Sequence, residues 1–330
     1  SPTGGNVYHE RLVVALSELG IGGRIVRVGA GWPDGTAADR GRLVAALRDH
    51  PVTLVDGIVA GNAPLELAAA PGRIGVLVHL PLADEQGLSP DRARSYRASE
   101  RAALAVADVV LCPSRRVALE LAKSYDRANA IVAEPGVDLA PVAAGSTPPH
   151  LLWLGAVTAT KNPLRFVEAL SELTDLDWTA ALVGAERDPA VGAQVRRAMT
   201  ALEGRVMVTG ALVAAELERE WVRTDLLVST SVVETYGLVV AEALAHGIPA
   251  VVPAGTGAVE ALGEVDGLPP GRAADPAELV PELRRWLSDP GRRRRWRERA
   301  LRRRSTLPSW AATARVVRDA LLIRDDPPGG

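Results

Sequence analysis

The sequence predicts an α/β protein of two domains, each built on a parallel sheet, and three observations carry that prediction. Short Val/Leu/Ile runs alternate with helix-length segments along all 330 residues, as consecutive strand–helix units do. Residues 107–114 (ADVVLCPS) and 224–231 (TDLLVSTS) echo one another: an Asp, an apolar strand, then a Ser where a helix should begin. Two such pieces far apart argue for two similar domains and against one long sheet. Between them, residues 140–149 are rich in Ala, Pro, Gly, Ser and Thr, the composition of a linker.

Composition fits a large enzyme, with 47% hydrophobic and 24% charged residues. A formal charge of -2 gives no reason to expect a nucleic-acid partner. No window holds the roughly 18 uninterrupted apolar residues of a membrane span, and no charged-then-apolar leader opens the sequence. The single cysteine, Cys112, ends an apolar run and reads as a buried structural thiol, for which a reducing cytoplasm is the simplest setting.

Residues 1–6 (SPTGGN) have a turn composition and lead straight into a helix over 7–19, with Leu12, Leu16 and Leu19 at helical spacing. No strand precedes it, so the middle of the first sheet should show a vacant or unpaired position. Residues 24–28 read as a strand. The following GAGWPDG is only superficially a dinucleotide fingerprint: the third glycine is displaced, Pro33 intrudes, and the next helix, over 40–48, starts late. A strand over 53–55 and a helix over 65–70 continue the alternation.

Residues 74–78 form a buried strand that ends on His79. Ligands of open parallel sheets gather at the carboxyl ends of strands, which makes His79 a candidate site residue. Its plainer role would be a histidine bonded to a backbone carbonyl. Asp84, Glu85 and Gln86 follow in the loop, open to an acceptor hydroxyl or to water. A helix over 99–106, a strand over 109–111 and Ser114 as a helix N-cap complete this half.

The second half opens with a strand over 151–154 and Gly155. Lys161 follows, in a loop before a helix over 163–173. A loop lysine is ordinarily solvated, but this one, between a strand and a helix, suits a phosphate. Strands follow over 178–183 and 206–209. Beyond the strand over 250–252, residues 254–260 are a Gly-rich turn into another helix, and a helix spans 275–287. The run GRRRRWRERALRRR reads as a solvated helix face, with peripheral contact to an acidic membrane surface as the alternative. Ser309 and Trp310 open a last amphipathic helix to residue 323, and 324–330 read as a frayed tail.

The most informative stretch is 227–252, LVSTSVVETYGLVVAEALAHGIPAVV. An apolar strand, 226–228, breaks into a small-polar turn, closes on Glu234, Thr235, Tyr236 and Gly237, and enters a helix over 238–246; a second strand covers 250–252. The helix is apolar nearly all round and should be buried, yet Glu242 sits in its middle. An unpaired buried carboxylate costs several kcal/mol, so Glu242 needs protein donors, a proton, or a ligand with hydroxyl groups. Glu234 lies at a strand-to-helix turn, where free helix amides favour an anion such as phosphate. A helix start beside two carboxylates suits a nucleotide sugar.

This setting, S-x-x-E-x-Y-G-L-x-x-x-E-A-L-A-x-G-x-P-x-V, resembles the signature of the family-4 retaining glycosyltransferases. The resemblance implies the GT-B architecture, two Rossmann-like domains facing across a cleft. It divides the chain into an acceptor-side domain over 1–143, a donor-binding domain over 149–308, and a helix over 309–323 that crosses back. In that family a first strand ends in a Gly-Gly loop near the donor phosphate. Gly4 and Gly5 match the loop, while the strand is missing from this sequence. Glu134-Pro135-Gly136-Val137-Asp138 is similar to the family's turn at the end of the first domain.

By the same resemblance, Glu242 would hold the ribose hydroxyls, Glu234 the donor sugar, the amides of Thr235, Tyr236, Gly237 and Leu238 the phosphate and sugar, and Lys161 the diphosphate. His79 and Gly5 would face the reacting carbon. Ala156 stands where family members usually carry an arginine that shares the diphosphate with the lysine. The implied activity is metal-independent, retaining transfer of a hexose-type sugar from a nucleoside diphosphate donor to an unidentified acceptor hydroxyl, with no cofactor besides the donor substrate. The alternatives are a nucleotide-sugar epimerase or hydrolase of the same fold and, given Ala156, a catalytically idle binding subunit. The sequence leaves the sugar, the base and the oligomeric state open.

Overall fold

A computed structural model describes residues 4–322 apart from Gln86 and Glu203. The turn read over residues 1–3, Gln86, the last residue of the final helix and the tail lie outside the described residues. Contacts divide the chain into two units, one of residues up to Gly136 together with those from Pro308, the other Val137–Leu307.

The first unit runs α1 (Gly4–Glu18), α2 (Ala37–Asp49), β1 (Val52–Asp56), α3 (Gly57–Ala60), α4 (Pro64–Ala68), β2 (Arg73–Leu77), α5 (Pro90–Val106), β3 (Val109–Cys112), α6 (Arg115–Tyr125) and β4 (Ile131–Val132). Its sheet is parallel in the order β1-β2-β3-β4. Leu43, Val76, Leu104, Val110, Cys112 and Leu121 make up much of its core. Residues 24–28 join no sheet, against the expected strand. A strand needs a hydrogen-bonding neighbour, and none of the described residues supplies one. The open position lies not in the middle of the described sheet but at the free edge of β1. There an apolar hollow of about 690 Å³ separates 24–28 from β1, lined among others by Leu12, Leu16, Val26, Val55 and Leu321.

Helix α1 begins at Gly4 and not at residue 7, so the glycine pair forms its first turn. Helix α5 begins nine residues earlier than expected. Residues 90–98 are mostly Arg, Ser and Asp, which hides the helical period, but Ser89 caps the helix by accepting from the Arg92 amide and Pro90 fits its first turn. Ser114 caps α6 as expected, and Cys112 is fully buried. The two-residue β4 was too short to read.

The second unit runs β5 (His150–Leu154), α7 (Pro163–Ser171), β6 (Thr179–Val183), α8 (Pro189–Ala198), β7 (Val206–Gly210), α9 (Ala214–Arg223), β8 (Leu226–Val228), α10 (Leu238–Ala245), β9 (Ala250–Pro253), α11 (Ala258–Leu262), β10 (Gly271–Ala274), α12 (Leu279–Ser288) and α13 (Pro290–Arg304). Its six parallel strands lie in the order β10-β9-β8-β5-β6-β7. Succession runs outward from β5 in one direction and from β8 in the other. The loops after β5 and β8 therefore flank the switch point of a doubly wound sheet, where such sheets bind ligands.

Two expectations about this unit need correction. The linker composition of 140–149 does not leave that segment loose. Ala143 and Ala144 donate their amides to the His246 and Val222 carbonyls at 2.9 and 2.8 Å, and the Ser146 amide donates to Asp225. Nor is the arginine run merely a solvated face. Trp296 and Ala300 are buried, and Arg292 pairs with Glu282. Arg293, Arg303 and Arg304 donate to the Leu287, Leu262 and Ala245 carbonyls, at the C-terminal ends of α12, α11 and α10. Helix ends leave carbonyls without intrahelical partners, and these side chains supply the donors.

The last helix, α14 (Trp310–Leu322), packs on α1, β2 and β3 in the first unit. Trp310 meets the Tyr8 ring edge-on at 5.5 Å, and the Thr313 hydroxyl donates to the Glu134 carbonyl at 2.6 Å. A Cβ at Gly75 would lie 2.5 Å from Leu321, so a glycine there lets the helix reach the strand. No helix among the described residues is long and apolar enough to cross a membrane.

Candidate functional site

In the unit Val137–Leu307 the candidate site is built by two loops at the switch point. The loop after β5 carries Lys161, and the loop after β8 carries Glu234. Lys161 Nζ lies 2.6 Å from Glu234 Oε2, a half-buried ion pair. Thr230, legible beforehand only as part of a polar turn, locks these loops together. Its hydroxyl donates to the Asn162 carbonyl at 2.7 Å and accepts from Trp153 Nε1 at 2.9 Å, while the Val232 amide donates to the Thr160 carbonyl at 2.8 Å. No helix begins at Ser231, the counterpart of Ser114, so the echo stops there and the helix waits for Gly237.

Gly237 is the N-cap of α10, at φ 95°. Only glycine takes that backbone at little cost. No side chain caps this helix, so the first amides, Leu238 among them, are left for a ligand. Thr235 and Tyr236 lead into the cap, and Tyr236 is buried. The Gly-rich turn supports them from behind. The Gly257 amide donates to the Glu234 carbonyl at 2.7 Å, and a Cβ at Gly257 would sit 2.0 Å from the Thr235 carbonyl oxygen.

Glu242 follows Leu238 by one helical turn. Among the described residues it has no hydrogen-bond or ion-pair partner, and its surface is partly open. Burial alone pushes its carboxyl up to about 7. Part of the population is thus charged near neutrality with no partner among the described residues, as a group awaiting hydroxyl donors would be. Ala156, in the place of the expected arginine, precedes a loop in which Lys161 is, among the described residues, the cation paired with Glu234.

Gly4, Gly5 and His79 belong to the other unit. A Cβ on Gly5 would lie 3.3 Å from the His79 ring, so the glycine gives that ring its room. Tyr8, anchored by its hydroxyl to the Ala133 carbonyl at 2.9 Å, meets His79 edge-on at 5.2 Å. His79 Nε2 is 3.2 Å from His9 Nε2, which is 3.3 Å from Asp56 Oδ2. Burial pushes His79 down to about 4 and His9 down also, against the pull of Asp56, so both rings are neutral at pH 7. His79 bonds another imidazole, not a backbone carbonyl. His9 and Asp56 had no signal in the sequence, because only the approach of α1 to the end of β1 joins them to His79. In the following loop, Asp84 pairs with Arg97 at 3.2 Å, and Glu85 is exposed.

A doubly wound sheet with a basic and an acidic loop at its switch point, in a chain of two parallel α/β units, is the fold of the GT-B glycosyltransferases. Sucrose-phosphate synthase from Thermosynechococcus elongatus is similar, with TM-score 0.76 and 20% identity over 96% of this chain and 92% of that one. Anabaena HepE, solved in complex with UDP and glucose, gives TM-score 0.75 and 17% identity over 97% of this chain and 96% of that one. WaaG, a glycosyltransferase involved in lipopolysaccharide biosynthesis, gives TM-score 0.65 and 16% identity over 97% of each chain. Residues 148–289, which include Lys161, Glu234 and Glu242, match the family model described as Glycosyl transferases group 1. The resemblance to family-4 glycosyltransferases of the GT-B type stands. No curated protein sequence matches this chain.

Proposed function

We propose that this protein is a retaining glycosyltransferase that moves a hexose-type sugar from a nucleoside diphosphate donor to an acceptor hydroxyl, with no metal ion at the diphosphate. The observation that carries the reading is the Lys161–Glu234 pair at the switch point, one helix start away from the unpaired carboxylate of Glu242. Glu242 accepts the ribose hydroxyls, which favour its charged form. Lys161 exchanges Glu234 for the diphosphate, and the freed Glu234 carboxylate accepts hydroxyls of the donor sugar. The amides at Thr235, Tyr236, Gly237 and Leu238 take the remaining phosphate charge, so the departing diphosphate meets fixed donors. His79, with Gly4 and Gly5 behind it, serves the reacting carbon and the acceptor.

The test is incubation with radiolabelled UDP-, GDP- and ADP-sugars, with and without a cell extract and in the presence of a chelator. Label transferred to an extract component with retained anomeric configuration supports the reading. Free sugar or an epimer without extract would make the protein a hydrolase or an epimerase. Donor bound but never turned over would make it a binding subunit, and affinity for the free nucleoside diphosphate lost with chelator would overturn the metal-free diphosphate.

A further inference from the structure

In the unit that holds His79, we propose a zinc-class metal site formed by His9 Nε2, His79 Nε2 and the Asp56 carboxylate, with a fourth position open to water or an oxygen ligand. The three ligand atoms lie within 4.8 Å of one another. Two of the separations are 3.2 and 3.3 Å. Around a tetrahedral zinc ion, ligands at about 2.0–2.1 Å lie about 3.3 Å apart, whereas neighbours around an octahedral ion at the same bond length lie about 2.9 Å apart. Two imidazoles and one carboxylate are also a known donor set for a zinc ion with an open position.

A proton relay explains the cluster less well. A relay passes through the two opposite nitrogens of an imidazole. Here Asp56 and His79 both approach the same atom, His9 Nε2, which has one site for a proton or a lone pair. Convergence on one point is what a shared cation requires. The second layer agrees. Asp56 Oδ1 accepts the Ile58 amide at 2.7 Å as the N-cap of α3, which turns Oδ2 toward the histidines. Gly5 and Tyr8 fix the orientation of the His79 ring.

All three ligands belong to the unit that holds His79, and the proposal goes beyond the reading of the Lys161–Glu234 pair as a donor site. With an ion bound, His79 would present a metal-bound oxygen where it otherwise presents a bare imidazole. The test is direct binding: the purified chain is stripped with chelator, dialysed against zinc, and its metal measured by atomic absorption, and cobalt is then substituted for its visible spectrum. About one zinc per chain and the intense bands of tetrahedral cobalt are expected. Asp56→Asn keeps an oxygen for the Ile58 amide and loses the anionic ligand. It should bind zinc at least about a hundredfold more weakly, beyond the 10–100-fold cost of losing an outer partner, with an unchanged melting temperature for the metal-free protein. His9→Ala should do the same, and His50→Ala, at a half-buried histidine outside the cluster, should not. No stoichiometric zinc at micromolar concentration, or zinc and cobalt spectra that survive both Asp56→Asn and His9→Ala, overturns the proposal whatever the transferase assay shows.

Discussion

Glu242 has a double signature at the scale of the single residue. Its carboxyl titrates near 7 in the folded protein against an ordinary 4.5, so the folded state favours the neutral form. Stability is then greatest below about 4.5 and falls as pH rises through 7, by up to about 3 kcal/mol if the charged form stays unpaired. Glu100, buried and also raised to about 7, gives a slope of the same sign. Glu242→Gln should therefore remove only its own share. It should raise stability at pH 8 by about 1–3 kcal/mol in urea titrations while weakening nucleoside diphosphate about tenfold by calorimetry. Unchanged affinity would take Glu242 out of the site. Lys161→Ala loses a charged hydrogen bond worth about 1.5–3 kcal/mol and should slow transfer about ten- to a hundredfold. Turnover and product affinity within a factor of two of the parent would move the phosphate contact to another cation. Lys161, Glu234 and Glu242 were legible because each is chemically odd in its own segment: a lysine between strand and helix, an acid at a helix start, an acid inside an apolar helix. Thr230, His9 and Asp56 were not, since what they do depends on partners far away in the chain.

Among the elements, the strand–turn–helix of β8 and α10 and the glycine turn before α11 act as one piece. Gly257→Ala would drive a methyl group into the Thr235 carbonyl, a rigid backbone group at 2.0 Å, so the Glu234 turn must move. We expect a loss of about 1–3 kcal/mol in stability together with weaker nucleotide binding. Gly255→Ala is the control. Gly255 has nothing within 4 Å but a φ of 72°, so the variant pays only about 1–2 kcal/mol of local strain and keeps its affinity. Equal affinity in both variants, measured by calorimetry, would detach the turn from the site. Most strands of both sheets were readable as Val/Leu/Ile runs because burial imposes that composition, but β4, of two residues, and β10, Gly271–Ala274, carry no such run. The start of α5 and the arginines of α13 were not. The first is held by a cap and a polar surface rather than by an apolar face, and a guanidinium that closes a carbonyl looks in sequence like one that faces water.

For the whole molecule, the division at Gly136 and Leu307 makes the first unit discontinuous. A chain ending at Leu307 should keep nucleoside diphosphate affinity within about twofold, since Lys161, Glu234 and Glu242 all lie in Val137–Leu307. It should lose the thermal transition of the first unit, whose β2 and β3 rely on α14 for cover. Two intact transitions by calorimetry would show that cover to be dispensable. The same arrangement sets an order of assembly on the ribosome. Translation at roughly 5–20 residues per second puts roughly ten to thirty seconds between the synthesis of Gly136 and that of Trp310. Through that interval the sheet made first stands with the face around Gly75 open, and the unit made second can close before it. The unit begun before the other is thus the last to be finished, and a nascent chain stalled in the arginine codons of α13 would present that uncovered sheet to chaperones.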